Sequence, residues 1–216
     1  EIKRYTKELE NINQTKDKFF KIIAHDLRNP FAGIIGVTEL LDTEISGEKK
    51  EIFLPLKRYV DLILSSSRSA FTLLENLMQW AKTQTGDISF NPQTIFINDM
   101  INSVVQLLSG NAFKKNIVIE VDVKKEDSIY ADTTLLSTIL RNLLTNAIKF
   151  SYSNSKIIVS AMRKENFQII SITDFGTGID SVNLEKIFRI DSKFSKPGTN
   201  NEKGSGLGLI LCKEFV

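Results

Sequence analysis

Thr133-Thr-Leu-Leu-Ser-Thr-Ile-Leu-Arg-Asn-Leu-Leu-Thr-Asn-Ala-Ile-Lys-Phe150 is the stretch on which the reading of this chain turns. Asp132 just before it is a good N-cap, so a helix is predicted from about Thr133 to Phe150. Leu135, Leu136, Ile139, Leu140, Leu143, Leu144, Ala147 and Ile148 cover a wide apolar arc of that helix. Asn142, Asn146 and Lys149 follow one another at steps of four and three, forming a polar stripe along its margin. An amide oxygen is a hard ligand of the kind Mg²⁺ takes, and an ammonium balances phosphate charge, so the stripe suits a phosphate and metal site. The same three residues also fit a plain solvated helix edge, and the helix alone leaves both readings standing.

Downstream, Lys156 to Arg163 and Phe167 to Thr173 read as paired strands joined around Glu165-Asn166. Asp174-Phe-Gly-Thr-Gly178 follows the second strand directly. Glycines two apart at a strand end permit a tight turn and close approach of a ligand, and a carboxylate fixed there can accept a hydrogen bond from an exocyclic amine such as adenine's. The three letters Asp-Phe-Gly match protein kinases by accident, since no glycine-rich loop or His-Arg-Asp loop accompanies them. From Ser192 to Ser205 almost nothing is apolar, which predicts a mobile loop. Gly204-Ser-Gly-Leu-Gly-Leu209 then opens a helix with N–H groups free for an anion. It is no dinucleotide fingerprint, because no strand precedes it and no acidic residue follows at the needed distance. Upstream, Ile117 to Val123 alternates as a strand, and a helix capped by Asn98 is expected to run to about Lys115. Composition changes over Gly86 to Pro92, the expected boundary between two parts.

The part before that boundary reads as two long helices. Ile2, Tyr5, Leu9, Ile12, Phe19 and Ile23 step by three and four, interrupted by Lys16, and Ile34, Ile35, Val37, Leu40 and Leu41 continue beyond Pro30, where a local bend is expected. Ser46-Gly47 connects to a second seam of Leu56, Val60, Ile63, Ser67, Ala70, Leu74, Leu77 and Ala81, with Gly86 as its C-terminal cap. The result is an antiparallel hairpin whose open seams need a partner, most simply a four-helix bundle of two chains. His25 is the only histidine. It lies about 200° round the helix from Ile23, and so faces solvent. Taken alone it favours an inconsequential surface histidine. Beside Asp26 and Asn29 it also fits a phosphoryl acceptor, since neutral imidazole is a good nucleophile.

The 216 residues carry 28 Lys and Arg against 26 Asp and Glu, a net charge of +2 with no basic run, so nucleic-acid binding is not expected. The one cysteine, Cys212, can form no internal disulfide. No apolar stretch approaches the roughly 20 residues of a membrane helix, and Glu1, Lys3, Arg4 and Lys7 do not open a signal peptide. With no initiator Met, the expectation is a cytoplasmic fragment of something longer, making no membrane contact itself and compatible with a membrane-anchored receptor.

Together and in this order, these pieces resemble the sensor histidine kinases of two-component systems. His25-Asp-Leu-Arg-Asn-Pro30 resembles their phospho-acceptor box, and Arg141 to Lys149 their asparagine box. Asp174 to Gly178 resembles the first glycine box, Ile187-Phe-Arg189 with Phe194 the phenylalanine box, and Gly204 to Leu209 the second glycine box. The resemblance implies a dimerising, phospho-accepting hairpin over 1–86. An α/β sandwich shared with gyrase, Hsp90 and MutL would follow over 92–216, short of its last strands at Val216. It also implies ATP and Mg²⁺ as cofactors, a homodimer through the hairpin, and a response regulator receiver domain as partner. His25 would attack the γ-phosphate, Asp26 take or orient its second proton, and Asn29 position water for dephosphorylation. Asn146 would bind Mg²⁺ with help from Asn142, while Lys149 and Arg189 contact phosphates. Asp174 would bind the adenine amine in a pocket shaped by Gly176 and Gly178, and Gly204, Gly206 and Gly208 would hold the end of a lid near the phosphates. Asp26 stands where many relatives have Glu, and both occur in the family. The rival readings are a gyrase-like ATPase that never phosphorylates itself, and a dimerising module whose ATP site is dead.

Overall fold

The computed structural model describes residues 27–41, 43, 53–85, 90–189, 196–202 and 206–216. The chain forms two compact units, Glu1–Gly86 and Asp87–Val216. The seam from Ile2 to Ile23, the connection at Ser46-Gly47 and the Gly86 cap lie outside the described residues, as do His25 and Asp26.

In the first unit, α1 spans 27–41, continuing through Pro30, and α2 spans Phe53–Thr85. The two approach closely at a small pair: a Cβ on Gly33 would sit 3.2 Å from Ser66 Oγ. On α2, Ala70 and Leu73 are buried, with Leu56, Tyr59, Ile63, Ser66 and Leu77 half-buried. These residues advance by threes and fours, the heptad signature of helix-on-helix packing. The expected seam is therefore half right. Leu56, Ile63, Ala70 and Leu77 turn inward, but Val60, Ser67, Leu74 and Ala81 are exposed, and Tyr59, Ser66 and Leu73 take their places. The reason is that the apolar stripe of α2 is wider than one seam. Its outer half, Val60, Leu64, Phe71, Leu74 and Met78, lies roughly 90° round the helix from the inner row and is exposed. On α1, Ile34, Val37 and Leu41 are half-buried, whereas Phe31, Ile35 and Leu40 are exposed.

The second unit begins with β1 (Pro92–Phe96) and α3 (Ile97–Lys114), then β2 (Val118–Asp122), β3 (Ser128–Asp132) and α4 (Thr133–Phe150). It continues through β4 (Lys156–Lys164), β5 (Phe167–Asp174), the single turn α5 (Ser181–Leu184) and α6 (Gly208–Phe215). β4 and β5 form the expected hairpin, in register from Lys164↔Phe167 to Ile157↔Asp174, with Glu165 at φ 55 in its tip. β2 lies parallel to β4 on the other side, so the chain between them must cross over, and it does so through β3 and α4. β1 and β3 pair antiparallel as a separate two-stranded sheet.

The core lies where the helices cover the larger sheet. Ile97, Ile101, Val104, Leu108 and Ala112 from α3 meet Leu136, Leu140, Leu144, Ala147 and Ile148 from α4, above Ile157 and Val159 of β4. α6 is fastened to this layer by buried Ile210, Leu211 and Cys212. Asn98 is not the cap of α3. The helix starts two residues earlier than a cap at Asn98 implies, with Phe96 at the N-cap position and no side-chain cap. Instead Asp127 supplies a backbone carbonyl to the Ile97 N–H at 2.9 Å, and Asn98 Nδ2 donates to Val123 O at 2.8 Å. A loop carbonyl thus satisfies one open first-turn donor, while the side chain expected to cap the helix bonds elsewhere. Among the described residues no helix is long and apolar enough to cross a membrane.

Candidate functional site

Helix α4 is held rigidly at its start. Asp132 Oδ1 accepts from the Thr134 and Leu135 N–H groups at 2.9 and 3.0 Å, and Oδ2 from the Asn91 N–H at 3.0 Å. The Asn91 and Leu135 amides hold the carboxyl below the usual aspartate range, against the opposing effect of burial and with help from Thr134. The cap expected from sequence is present, with a third donor recruited from the segment before β1.

The far end of α4 meets the turn after β5. Thr177 N–H donates to Phe150 O at 3.2 Å, and Ser151 bridges Gly176 in antiparallel fashion. A Cβ on Gly176 would collide with Phe150 O, so the close approach requires glycine there. Asp174 Oδ1 accepts the Gly176 N–H at 3.0 Å, which closes the turn on itself and leaves the carboxylate exposed. Gly178 completes the bend at φ +62.

Along the side of α4, Asn142 faces the glycine-led start of α6: a Cβ on Gly208 would sit 3.3 Å from Asn142 Oδ1. Among the described residues, Asn142 Nδ2 is buried and meets no oxygen or nitrogen acceptor. Burial pushes the neighbouring Cys212 thiol up to about 11, an effect that the nearby Asn142 amide opposes. Asn146 is half-exposed one turn further on. Gly206, just ahead of α6, has φ +71, while Gly204 lies outside the described residues, as does Phe194.

Lys149 is half-buried, its ammonium 4.7 Å above the Phe150 ring. Desolvation lowers its pKa; Glu202 opposes that and the charge of Lys115 adds to it. Beside it the segment expected to be a mobile loop is, over residues 198–202, an ordered turn. Gly198 N–H bonds to Glu202 O at 2.9 Å, and Thr199 N–H to Lys149 O at 3.1 Å. Thr199 Oγ1 donates to Ser151 O at 2.7 Å. The anchor is Lys115, which sequence reading missed. Its Nζ donates to Ile148 O at 3.0 Å, to Lys149 O at 2.8 Å and to Thr199 Oγ1 at 2.8 Å, and pairs with Glu202 Oε1 at 2.6 Å. The signal available in sequence was Glu202, the one acid in the Ser192–Ser205 stretch.

The second unit therefore brings Asp174, Gly176 and Gly178 to one end of α4, and Asn142 to Gly208, with Lys149 beside the 198–202 turn. Arg189 is exposed beyond the turn that follows α5. Asn29 is exposed on α1, in the other unit.

Comparison with known proteins follows the same division. The His Kinase A (phospho-acceptor) domain matches residues 15–86. The histidine kinase-, DNA gyrase B-, and HSP90-like ATPase domain matches residues 131–216. The chain is 30% identical to the adaptive-response sensory kinase SasA of Synechocystis sp., over 100% of this chain and 56% of that protein. It is 30% identical to the histidine protein kinase SaeS of Staphylococcus aureus, over 100% of this chain and 61% of that protein. The chain thus spans less than two thirds of the length of these relatives. The crystal structure of histidine kinase ThkA in complex with the response regulator protein TrrA shares its fold, with a TM-score of 0.71 at 22% identity over 99% of this chain and 58% of that one. Carrying a phospho-acceptor domain followed by an ATPase domain of this type, the chain belongs to the sensor histidine kinases of two-component systems.

Proposed function

We propose that this chain is the catalytic core of a protein-histidine kinase. It transfers a phosphoryl group from Mg²⁺-ATP to its own His25, and from there to an aspartate of a response regulator receiver domain. The observation that carries the reading is the convergence on α4. One helix supports an exposed carboxylate at a glycine turn, an amide against a glycine-led helix start, and a half-buried ammonium.

Each part has a fitting task. The Asp174 carboxylate keeps its second oxygen for the adenine amine, and Gly176 and Gly178 keep side chains out of that space. Asn142 carries a buried amide donor that, among the described residues, has no oxygen or nitrogen acceptor and lies near only the Cys212 sulfur, and a polyphosphate or its water shell would satisfy it. Among the described residues no cluster of three or more His, Cys, Asp or Glu side chains stands ready to bind a metal alone. That fits a Mg²⁺ held largely by phosphate oxygens and water, with Asn146 adding one amide oxygen. Lys149 and Arg189 would offset phosphate charge, Gly206 and Gly208 would offer backbone N–H groups, and Gly204 is assigned the same task from its place in the motif. Bound Mg²⁺-ATP supplies the phosphoryl group and part of the charge neutralisation. The protein's own work is positioning and electrostatics, with His25 as nucleophile, Asp26 orienting its other ring proton, and Asn29 placing water when phosphate is removed.

The first unit supports the dimer. Two apolar rows roughly 90° apart are what a helix needs to face two neighbours at once, as in a four-helix bundle. One row of α2 is occupied within the chain; the other, with Phe71 61% exposed, would meet the second chain. Titration calorimetry with Mg²⁺-ATP tests the nucleotide site. One nucleotide per chain is expected for the wild type and none for Asp174→Ala, whereas a wild-type protein that binds no nucleotide contradicts the proposal.

A further inference from the structure

Among the described residues of the second unit Lys115 is the most thoroughly enclosed charged side chain, 4% exposed, and the reaction outlined above does not use it. Burying an ammonium is costly unless every donor finds a partner. Its partners are not scattered. Two are the Ile148 and Lys149 carbonyls, which α4 leaves open at its C-terminal end. The other two, Thr199 Oγ1 and Glu202 Oε1, belong to the 198–202 turn. One ammonium therefore clamps that turn to the end of α4.

Two further features serve the same junction. Glu202 Oε2 accepts the Asn200 N–H at 2.8 Å, so one carboxylate both shapes the turn and receives Lys115. Gly198 is buried where a Cβ would strike Glu202 Oε2 and come within 2.6 Å of Lys149 Cγ, so the turn seats only with glycine at that position. Burial raises the Glu202 pKa, but the Lys115 hydrogen bond, the backbone amides of Glu202 and Asn200, and the Lys115 charge outweigh it. Glu202 is thus held ionised.

We propose that Lys115 and Glu202 are a latch of positioning residues: they fix the turn that leads into the glycine-rich start of α6, so that nucleotide meets an already seated segment. The proposal rests on the nucleotide-binding reading given above. Without the latch, the 198–202 turn would have to be ordered at the moment of binding, and affinity falls by the cost of that ordering. Nucleotide affinity should therefore suffer more than the rate at saturation.

The test uses the full chain with Glu202→Gln, Lys115→Met and the double substitution, each measured three ways. Calorimetry with Mg²⁺-ATP should give about a tenfold weaker Kd for each single variant, the loss expected for one charge-assisted hydrogen bond. The double variant should be about as weak as the single ones, because each acts through the other. Autophosphorylation at saturating nucleotide should change less than threefold. Without nucleotide, the Thr199 and Gly198 amides should be protected from hydrogen exchange in the wild type and exchange fast in Glu202→Gln, a variant at a part-exposed site that leaves the core intact. Equal affinities with equal Thr199 protection would overturn the latch while leaving the nucleotide reading standing. Independent, additive losses in the two single variants would also overturn it. A wild type that binds no Mg²⁺-ATP overturns the nucleotide reading and the latch's role in it, even if Thr199 exchange shows the turn to be clamped.

Discussion

Asp132 holds three backbone N–H groups with one carboxylate, and two of them belong to the first turn of the helix that supports the site. Asp132→Ala should cost about 2 kcal/mol in urea unfolding near neutral pH, the upper end of an N-cap loss, since the Asn91 N–H is orphaned as well. The sign with pH follows from the lowered pKa. A carboxyl held below its unfolded value stabilises fully above that value, 3.8, and loses its contribution as pH falls through the folded value. The gap between wild type and variant should therefore shrink in acid and stay constant from mildly acidic to neutral pH. Cys212 gives a second residue-level test. Buried, and with its thiol pushed up to about 11, it should resist a thiol reagent at about pH 8 in the native protein and react promptly in denaturant. Much at this scale was legible beforehand: the Asp132 cap, the glycine turn after Asp174 and the Asn142-to-Lys149 stripe all follow from local spacing. Lys115 was not, because its partners at 148–149 and 199–202 are joined to it only by tertiary packing.

Elements were legible where the period was long enough to read. α4, β4 and β5 stand within a residue or so of their expected bounds, since each repeats its pattern several times. β1 and β3 escaped notice, being five residues each, with only Ile95 of β1 and the capping Asp132 of β3 buried. The second seam of α2 was read as one stripe where the structure separates two. That separation carries a prediction: Leu74→Glu, on the outer row, should convert the proposed dimer to a monomer in sedimentation, with helix content in circular dichroism nearly unchanged. Leu73→Glu, one residue away on the buried row, should instead unfold the hairpin. Gly176→Ala tests the other unit's critical approach. Its added methyl meets a backbone carbonyl rather than a flexible side chain, so a loss on the order of 2 kcal/mol or more is expected, together with lost nucleotide binding.

At the scale of the whole molecule, the chain divides into a helical unit and an α/β unit, matched in turn by a phospho-acceptor domain and an ATPase domain. The order of the motifs announced that pairing more clearly than any single motif, since each box by itself fits several folds. In the proposed function a chemical step links His25 to the α/β unit, and so the decisive measurement is chemical. The full chain is incubated with Mg²⁺-ATP labelled at the γ-phosphate, beside His25→Gln and Asp174→Ala, and the labelled protein is then treated with acid and with base. The account predicts covalent label on the wild type only, lost in acid and retained in base as a phosphoramidate should be. Full labelling of His25→Gln, or a label that survives acid, would contradict it.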